Sequence, residues 1–424
     1  MKQFLITVAG VLTGLVLFLV LAPIILIGML SASFNSQPPQ PSHMVLALDL
    51  REPLTDQSSS NPFASFSGGG NALLDVLGKI DGARTDNAVE GIYIRANTGG
   101  MQPAQAEELR AALAAFRASG KFVVAHIQND GVRMGMPGYM AIADSDEVWL
   151  QETSEFQPMG LSAEVTFFGQ TLQRYHLQAQ FEQREDYKTY PNSLTQSTFT
   201  PAHREEVTSL MNGIYGNMIA NIATDRGITP EATRSAVEAT PFTAQRAREL
   251  TLIDQIGRPE EAERAALARA ENAELVDFAD YHAPVHSGGR VIAVVQGEGA
   301  IVSGPISHDL FNDESQMNSD AIAQALLDAS EDDDVAAIVF RVSSPGGSVV
   351  ASDQILAALR TAKERGKHVV VSMGDVAASG GYYVSAFADE IIASPSTITG
   401  SIGVVGGKLI IGPAMDYYLS SNTE

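Results

Sequence analysis

DNAVEGIYIRANTGG, residues 86–100, returns as DDDVAAIVFRVSSPGG at residues 332–347. Each version is an apolar run rich in β-branched residues that ends in a glycine pair, the pattern of a buried strand feeding a tight turn. The correspondence extends outward from there. MVLALDLREPL (44–54) matches VIAVVQGEGAI (291–301), and ELRAALAAFRASGKFVVAHI (108–127) matches QILAALRTAKERGKHVVVSM (354–373). GYMAIADSDEVWL (138–150) matches GYYVSAFADEIIA (381–393), and the offset stays between 243 and 247 throughout. Chance similarity does not hold register over more than a hundred residues, so the chain reads as a duplicated unit. Each copy alternates strands with helices, which implies βαβ units and a mainly parallel sheet. In such sheets, sites form at the carboxyl ends of the strands. The first repeat then spans residues 44–285 and the second residues 286–424.

The two copies differ at one telling place. GDVAASGGYY (374–383) comes after the apolar run HVVVSM and carries Ser379 among small residues; the corresponding position in the first copy is Met136. The glycine-pair turn is kept in both copies while the serine occurs in one. A small residue needed only for packing would suit both copies, whereas a nucleophile is needed once. A serine hydroxyl requires a base. The eight histidines sit in the tether, in links, in loops or in strands with no motif around them, and no HExxH-type metal cluster occurs. Among seven lysines, Lys188 in REDYKTYPNSLTQS lacks a surface-helix role. A lysine base must be neutral near pH 7, which burial in an apolar pocket achieves. The alternative for Lys188 is a solvated loop lysine, and for Ser379 a tight backbone crossing.

Bulk properties narrow the classes further. The 424 residues carry a net charge of −23, which argues against a nucleic-acid partner. There is no cysteine, hence no disulfide and no thiolate chemistry. Residues 4–30 carry no charge, enough apolar length to cross a bilayer and longer than a signal-peptide core. Residues 1–33 therefore read as a transmembrane anchor, with SAS at 31–33 leaving cleavage open, and residues 34–43 as a polar, Pro-rich tether. Lys2 on the amino-terminal side places that end in the cytoplasm and the body of the chain outside it.

Together, SPGGS (344–348), ASGGYY (378–383), FADEIIASP (387–395), TGSIGVVG (399–406), DYKTYPNSLT (186–195), the duplication and the anchor resemble the membrane-anchored Ser-Lys proteases of the signal peptide peptidase A type, in their long form. The resemblance covers nearly the whole chain. It implies tandem Clp protease/crotonase-like α/β domains, with Ser379 as nucleophile, Lys188 as general base and Ser401 as the serine that hydrogen-bonds the lysine amine. It further implies an oxyanion hole from the N–H groups of Gly346 or Gly347 and of Gly380, no cofactor and no metal. The implied setting is the bacterial inner membrane with a periplasmic catalytic part, released signal peptides as substrates and a homotetramer as the assembly. One departure stands out. The second-copy counterpart of Lys188 would fall at position 431, beyond Glu424, so the second repeat reads as truncated. Two other readings remain open: a crotonase-type acyl-CoA enzyme and a non-catalytic membrane scaffold.

Overall fold

The computed structural model describes residues 2–3, 14, 17–18, 21, 40–57, 72–96, 100–128, 135–284, 288–306 and 315–421. Residues 1–42 and 43–424 form separate units. The expected anchor over residues 4–30 lies almost entirely outside the described residues; among those described, no helix is long and apolar enough to cross a membrane. The strands and helices of the body belong to residues 43–424.

The first half contains β1 (Met44–Leu50), α1 (Leu73–Thr85), β2 (Val89–Ala96), α2 (Pro103–Ala118), β3 (Phe122–Ile127), α3 (Met136–Ile142) and β4 (Glu147–Leu150). After these come β5 (Gln178–Gln183), α4 (Pro201–Arg226), β6 (Gln255–Ile256), α5 (Pro259–Arg269) and β7 (Glu274–Asp277). The strands form a parallel sheet in the order β6-β4-β3-β2-β1-β7. Its main core joins Leu46, Leu48, Ile92, Ile94 and Ala125 to Val76, Leu109, Leu113 and Tyr139 of the helices.

The second half contains β8 (Val291–Glu298), α6 (Ser319–Glu331), β9 (Val335–Ser344), α7 (Val349–Glu364), β10 (His368–Ala378), α8 (Gly380–Ser385), β11 (Glu390–Ile392), β12 (Ile398–Gly400) and β13 (Val405–Ile410). Here β8-β9-β10-β11 form a parallel sheet, and β12 pairs with the far end of β10. A separate core of Ile338, Phe340, Ile355, Leu359 and Val371 holds it together. The two sheets share their pairing pattern in detail. The register slips once after Met44 in the β1–β2 pair and once after Val291 in the β8–β9 pair, at equivalent places.

Contacts between elements join the halves. Helix α2 of the first half packs on β10 of the second. Strand β5 pairs antiparallel with β13, from Gln178↔Ile410 to Gln183↔Val405.

Candidate active site

Three pairing registers bring the site together. In the first, Ser344 of β9 lies opposite Ala377 of β10, so the Ser344–Gly347 turn and Ser379 leave the sheet side by side at its carboxyl edge. In the second, Ala378 lies opposite Gly400, which makes Ser379 and Ser401 neighbours; the Ser379 N–H donates to the Gly400 carbonyl at 2.9 Å. In the third, the Gln183↔Val405 pair anchors the loop that carries Lys188 over the segment that carries Ser401.

Lys188 is only 6% exposed. Its Nζ stands 3.1 Å from Ser379 Oγ and 3.1 Å from Ser401 Oγ, and it also donates to the Ser401 carbonyl. Burial pulls the ammonium below its ordinary pKa, and the attraction of Glu206 opposes this without reversing it. Glu206 is held from the other side by Thr189 Oγ1, which donates to its Oε2 at 2.9 Å. The lysine stem passes close to Gly403, where a Cβ would stand 3.8 Å from the lysine Cδ, an ordinary contact distance. The surroundings thus weaken the hold of the amine on its proton and aim it at a hydroxyl, and the solvated-loop alternative for this lysine does not hold.

Ser379 adopts φ 52° and ψ −112°, a backbone state that non-glycine residues rarely enter. Such strain costs on the order of 1–3 kcal/mol and survives only where the surroundings over-determine it. Here the β12 pairing on one side and helix α8 on the other fix the turn, which presents Oγ at the end of a strand. Gly380 opens α8, so its N–H belongs to the helix's unsatisfied first turn. Gly346 has φ 98°, and a Cβ there would sit 2.5 Å from the Gly380 nitrogen and 2.8 Å from Ser379 Cβ. Only glycine allows this approach. The Gly346 N–H donates to Ser344 Oγ at 3.1 Å, while the Gly346 carbonyl accepts from Ile301 N–H at 3.0 Å. Among the described residues the N–H groups of Gly347 and Gly380 have no protein acceptor. The pair of amides open to a ligand is therefore Gly347 with Gly380, and Gly346 is the spacer between them.

All of Ser379, Lys188, Ser401, Gly346, Gly347 and Gly380 thus gather at one sheet edge. Two contributors escaped the sequence reading. Ser344 is fully buried and holds the glycine turn; its place at the head of SPGG was the available signal. Glu206 faces the lysine from α4, and nothing local marked it. A buried ionic cluster was missed as well. Arg341 of β9 pairs with Asp56 at 3.2 Å and with Glu108 at 2.9 Å, both from the first half. Burial pulls the guanidinium down, but the two carboxylates outweigh it and keep Arg341 charged. Nearby Asp375, four residues before Ser379, is pushed up to about 6 by burial. No cluster of His, Cys, Asp or Glu suited to a metal occurs among the described residues.

The family model for Peptidase family S49 matches residues 115–274 and 361–416. A protein named Protease 4 from Salmonella typhi is 31% identical over 354 residues, which is 79% of this chain and 55% of the relative. Protease 4 from Haemophilus influenzae is 28% identical over 78% of this chain and 56% of its own length. A chloroplastic serine protease SPPA from Arabidopsis thaliana is 27% identical over 87% of this chain and 54% of its own length. The chain spans about half the length of these curated relatives.

Proposed function

We propose, for a chain that belongs to peptidase family S49, that it is a serine endopeptidase with a Ser379–Lys188 dyad. The single observation that carries this reading is the 3.1 Å contact between the amine of a buried lysine and the hydroxyl of a backbone-strained serine. Neutral Lys188 takes the proton from Ser379 Oγ as the oxygen attacks the scissile carbonyl. The carbonyl oxygen gains negative charge and accepts hydrogen bonds from the N–H groups of Gly347 and Gly380. Lys188 then passes its proton to the leaving amine. The C–N bond breaks and leaves an ester on Ser379; Lys188 then takes a proton from a water molecule whose oxygen attacks that ester, and returns it to Ser379 Oγ as the carboxylic acid product leaves. Ser401 orients the amine through both its hydroxyl and its carbonyl.

The repeated register slip and the matched strand order support a duplicated Clp/crotonase-type unit, with the base from residues 44–285 and the nucleophile from residues 286–424. The uncharged stretch at residues 4–30 supports an anchor in the bacterial inner membrane with a periplasmic catalytic part. Released signal peptides fit as substrates, because the segments beside Ser379, DVAAS and TGSIGVVG, consist of small or apolar residues apart from Asp375. A homotetramer fits the ring-forming relatives of this fold. A crotonase-type reaction would have no use for Lys188 beside Ser379, and a scaffold would have no use for either residue.

A serine-reactive fluorophosphonate tests the reading. Labelling of the intact chain that disappears in Ser379→Ala is expected. A chain whose label is unaffected by that substitution, or that takes no label while correctly folded, would refute the dyad.

A further inference from the structure

Helix α2 belongs to the first half, yet its amino-terminal turns grip the second half at three places. Glu108 pairs with Arg341 of β9 at 2.9 Å. The Ala104 N–H donates to the Asp375 carboxyl of β10. Glu107 meets Ser396, which lies just before β12. Arg341 comes three residues before Ser344, Asp375 four before Ser379 and Ser396 five before Ser401. One helix therefore holds, each a short way upstream, the three strands that deliver the candidate site.

Of these contacts, that of Glu107 is the most fully built. Glu107 and Ser396 are both buried. Glu107 Oε1 accepts from Ser396 Oγ at 2.7 Å and from Asn217 Nδ2 of α4, while Oε2 accepts from the Ser396 N–H at 3.1 Å. Asn217 Nδ2 also donates to Ser396 Oγ at 2.9 Å. Burying a carboxyl group is costly unless donors meet it. Here both its oxygens meet donors of a single residue from the other half. The neighbouring Thr397 Oγ1 accepts from the Ser394 N–H at 3.1 Å and donates to the Gly374 carbonyl at 2.8 Å. The turn is thus fixed on two sides, and β12 follows it with no intervening loop. The pairing of β12 with β10 carries that position to Gly400, whose carbonyl receives the Ser379 N–H, and on to Ser401, which holds Lys188 Nζ.

We propose that Glu107 is a positioning residue for the Ser379–Lys188 pair: through Ser396 it fixes β12, and through β12 the Gly400 carbonyl and both oxygens of Ser401. The kinetic consequence rests on the protease reading, whereas the coupling from Glu107 to the Ser379 amide does not. Glu107 touches none of the reacting atoms. A misplacement that begins far from the chemistry can still cost about 10²-fold in rate.

Two variants of the full chain test this. Glu107→Gln keeps the size of the side chain and loses one acceptor oxygen. Ser396→Ala weakens the same contact from the other side without changing any charge. Hydrogen exchange, read by mass spectrometry, follows the peptide that covers Ser379. Both variants are expected to speed exchange of its protected amide by at least about tenfold. In peptide hydrolysis, both should lower kcat per fluorophosphonate-titrated site by about tenfold with KM unaltered. Both should also move the midpoint of the pH–rate profile to lower pH, because the Ser401 acceptors that favour the ammonium are loosened. A carboxyl group that only stabilises the fold would lower the denaturant midpoint and leave all of these readings in place. Unchanged exchange at Ser379, or an unchanged kcat and pH midpoint, overturns the proposal; should Glu107→Gln fail to fold, Ser396→Ala decides alone. A wild-type chain whose Ser379 takes no fluorophosphonate overturns the protease reading instead, and the exchange measurement still decides the coupling.

Discussion

Lys188 Nζ lies 3.1 Å from Ser379 Oγ although 191 positions separate the two residues in sequence. The contact spans the two halves of the molecule, so neither half alone holds the candidate site. If it is the reacting pair, Lys188→Arg must be as inactive as Ser379→Ala, because a guanidinium does not lose its proton near neutrality. Each variant is expected to lower kcat/KM by at least about 10³-fold. Peptide hydrolysis by variants with wild-type circular dichroism checks this; a Lys188→Arg enzyme that keeps most activity removes lysine from the role of base.

The pH dependence comes from the direction of the Lys188 shift. Only the neutral amine accepts a proton, so the rate should rise with pH through the lowered pKa and then level off. Glu206 favours the charged amine. Glu206→Gln should therefore move the midpoint of the pH–rate profile to lower pH and leave the plateau rate nearly unchanged. A midpoint that stays in place or moves upward would show that Glu206 does not act on the lysine.

Ser344 acts through the turn it holds. Its hydroxyl occupies the Gly346 N–H and so leaves the Gly347 N–H to face the ligand. Loss of a direct oxyanion donor costs about 10²–10³ in kcat, and loosening one should cost less. Ser344→Ala is expected to lower kcat by about tenfold, with KM and the pH midpoint unaltered. A purely structural serine would instead lower thermal stability with kcat per folded molecule intact.

Asp375 makes the molecule carry a buried charge at neutral pH. Its pKa is raised from 3.8 to about 6 in the folded state, chiefly by burial. A raised carboxyl favours folding below its unfolded pKa, and that contribution fades as pH climbs through the folded value. Asp375→Asn keeps an acceptor for the Ala104 N–H without the charge. It should stabilise the fold by about 2–3 kcal/mol above pH 6, and by nothing below about pH 4. Denaturant midpoints at about pH 4 and about pH 8 decide it; an equal effect at both would rule out the charge as the cause.

The ionic cluster gives a harsher outcome. Arg341→Met leaves Asp56 and Glu108 buried without a cation, a change that typically costs about 3–5 kcal/mol. Double replacement by Arg341→Met with Asp56→Asn should recover part of that loss, as denaturant midpoints of the two variants would show. If the single substitution is neutral, the cluster does not bind the halves together.

What could be read from the sequence was whatever repeats or alternates locally. Runs such as GIYIR and HVVVSM are strands because β-branched residues at these spacings bury well in a sheet, and their recurrence in the second half revealed a matched set of strands. Ser379 stood out because its counterpart is Met136. Lys188 stood out among seven lysines, and the resemblance to a known family then gave it the role of base and named Ser401. The tertiary structure decided the rest. That Lys188 meets Ser379 depends on β5 pairing with β13, a register with no local signature because any two edge strands of suitable length could form it. The choice of Gly347 over Gly346 as the open amide depends on which N–H the Ser344 hydroxyl captures. The Arg341–Asp56 contact bridges 285 positions, and charges so far apart in the chain carry no mark of their pairing until the fold excludes water from between them.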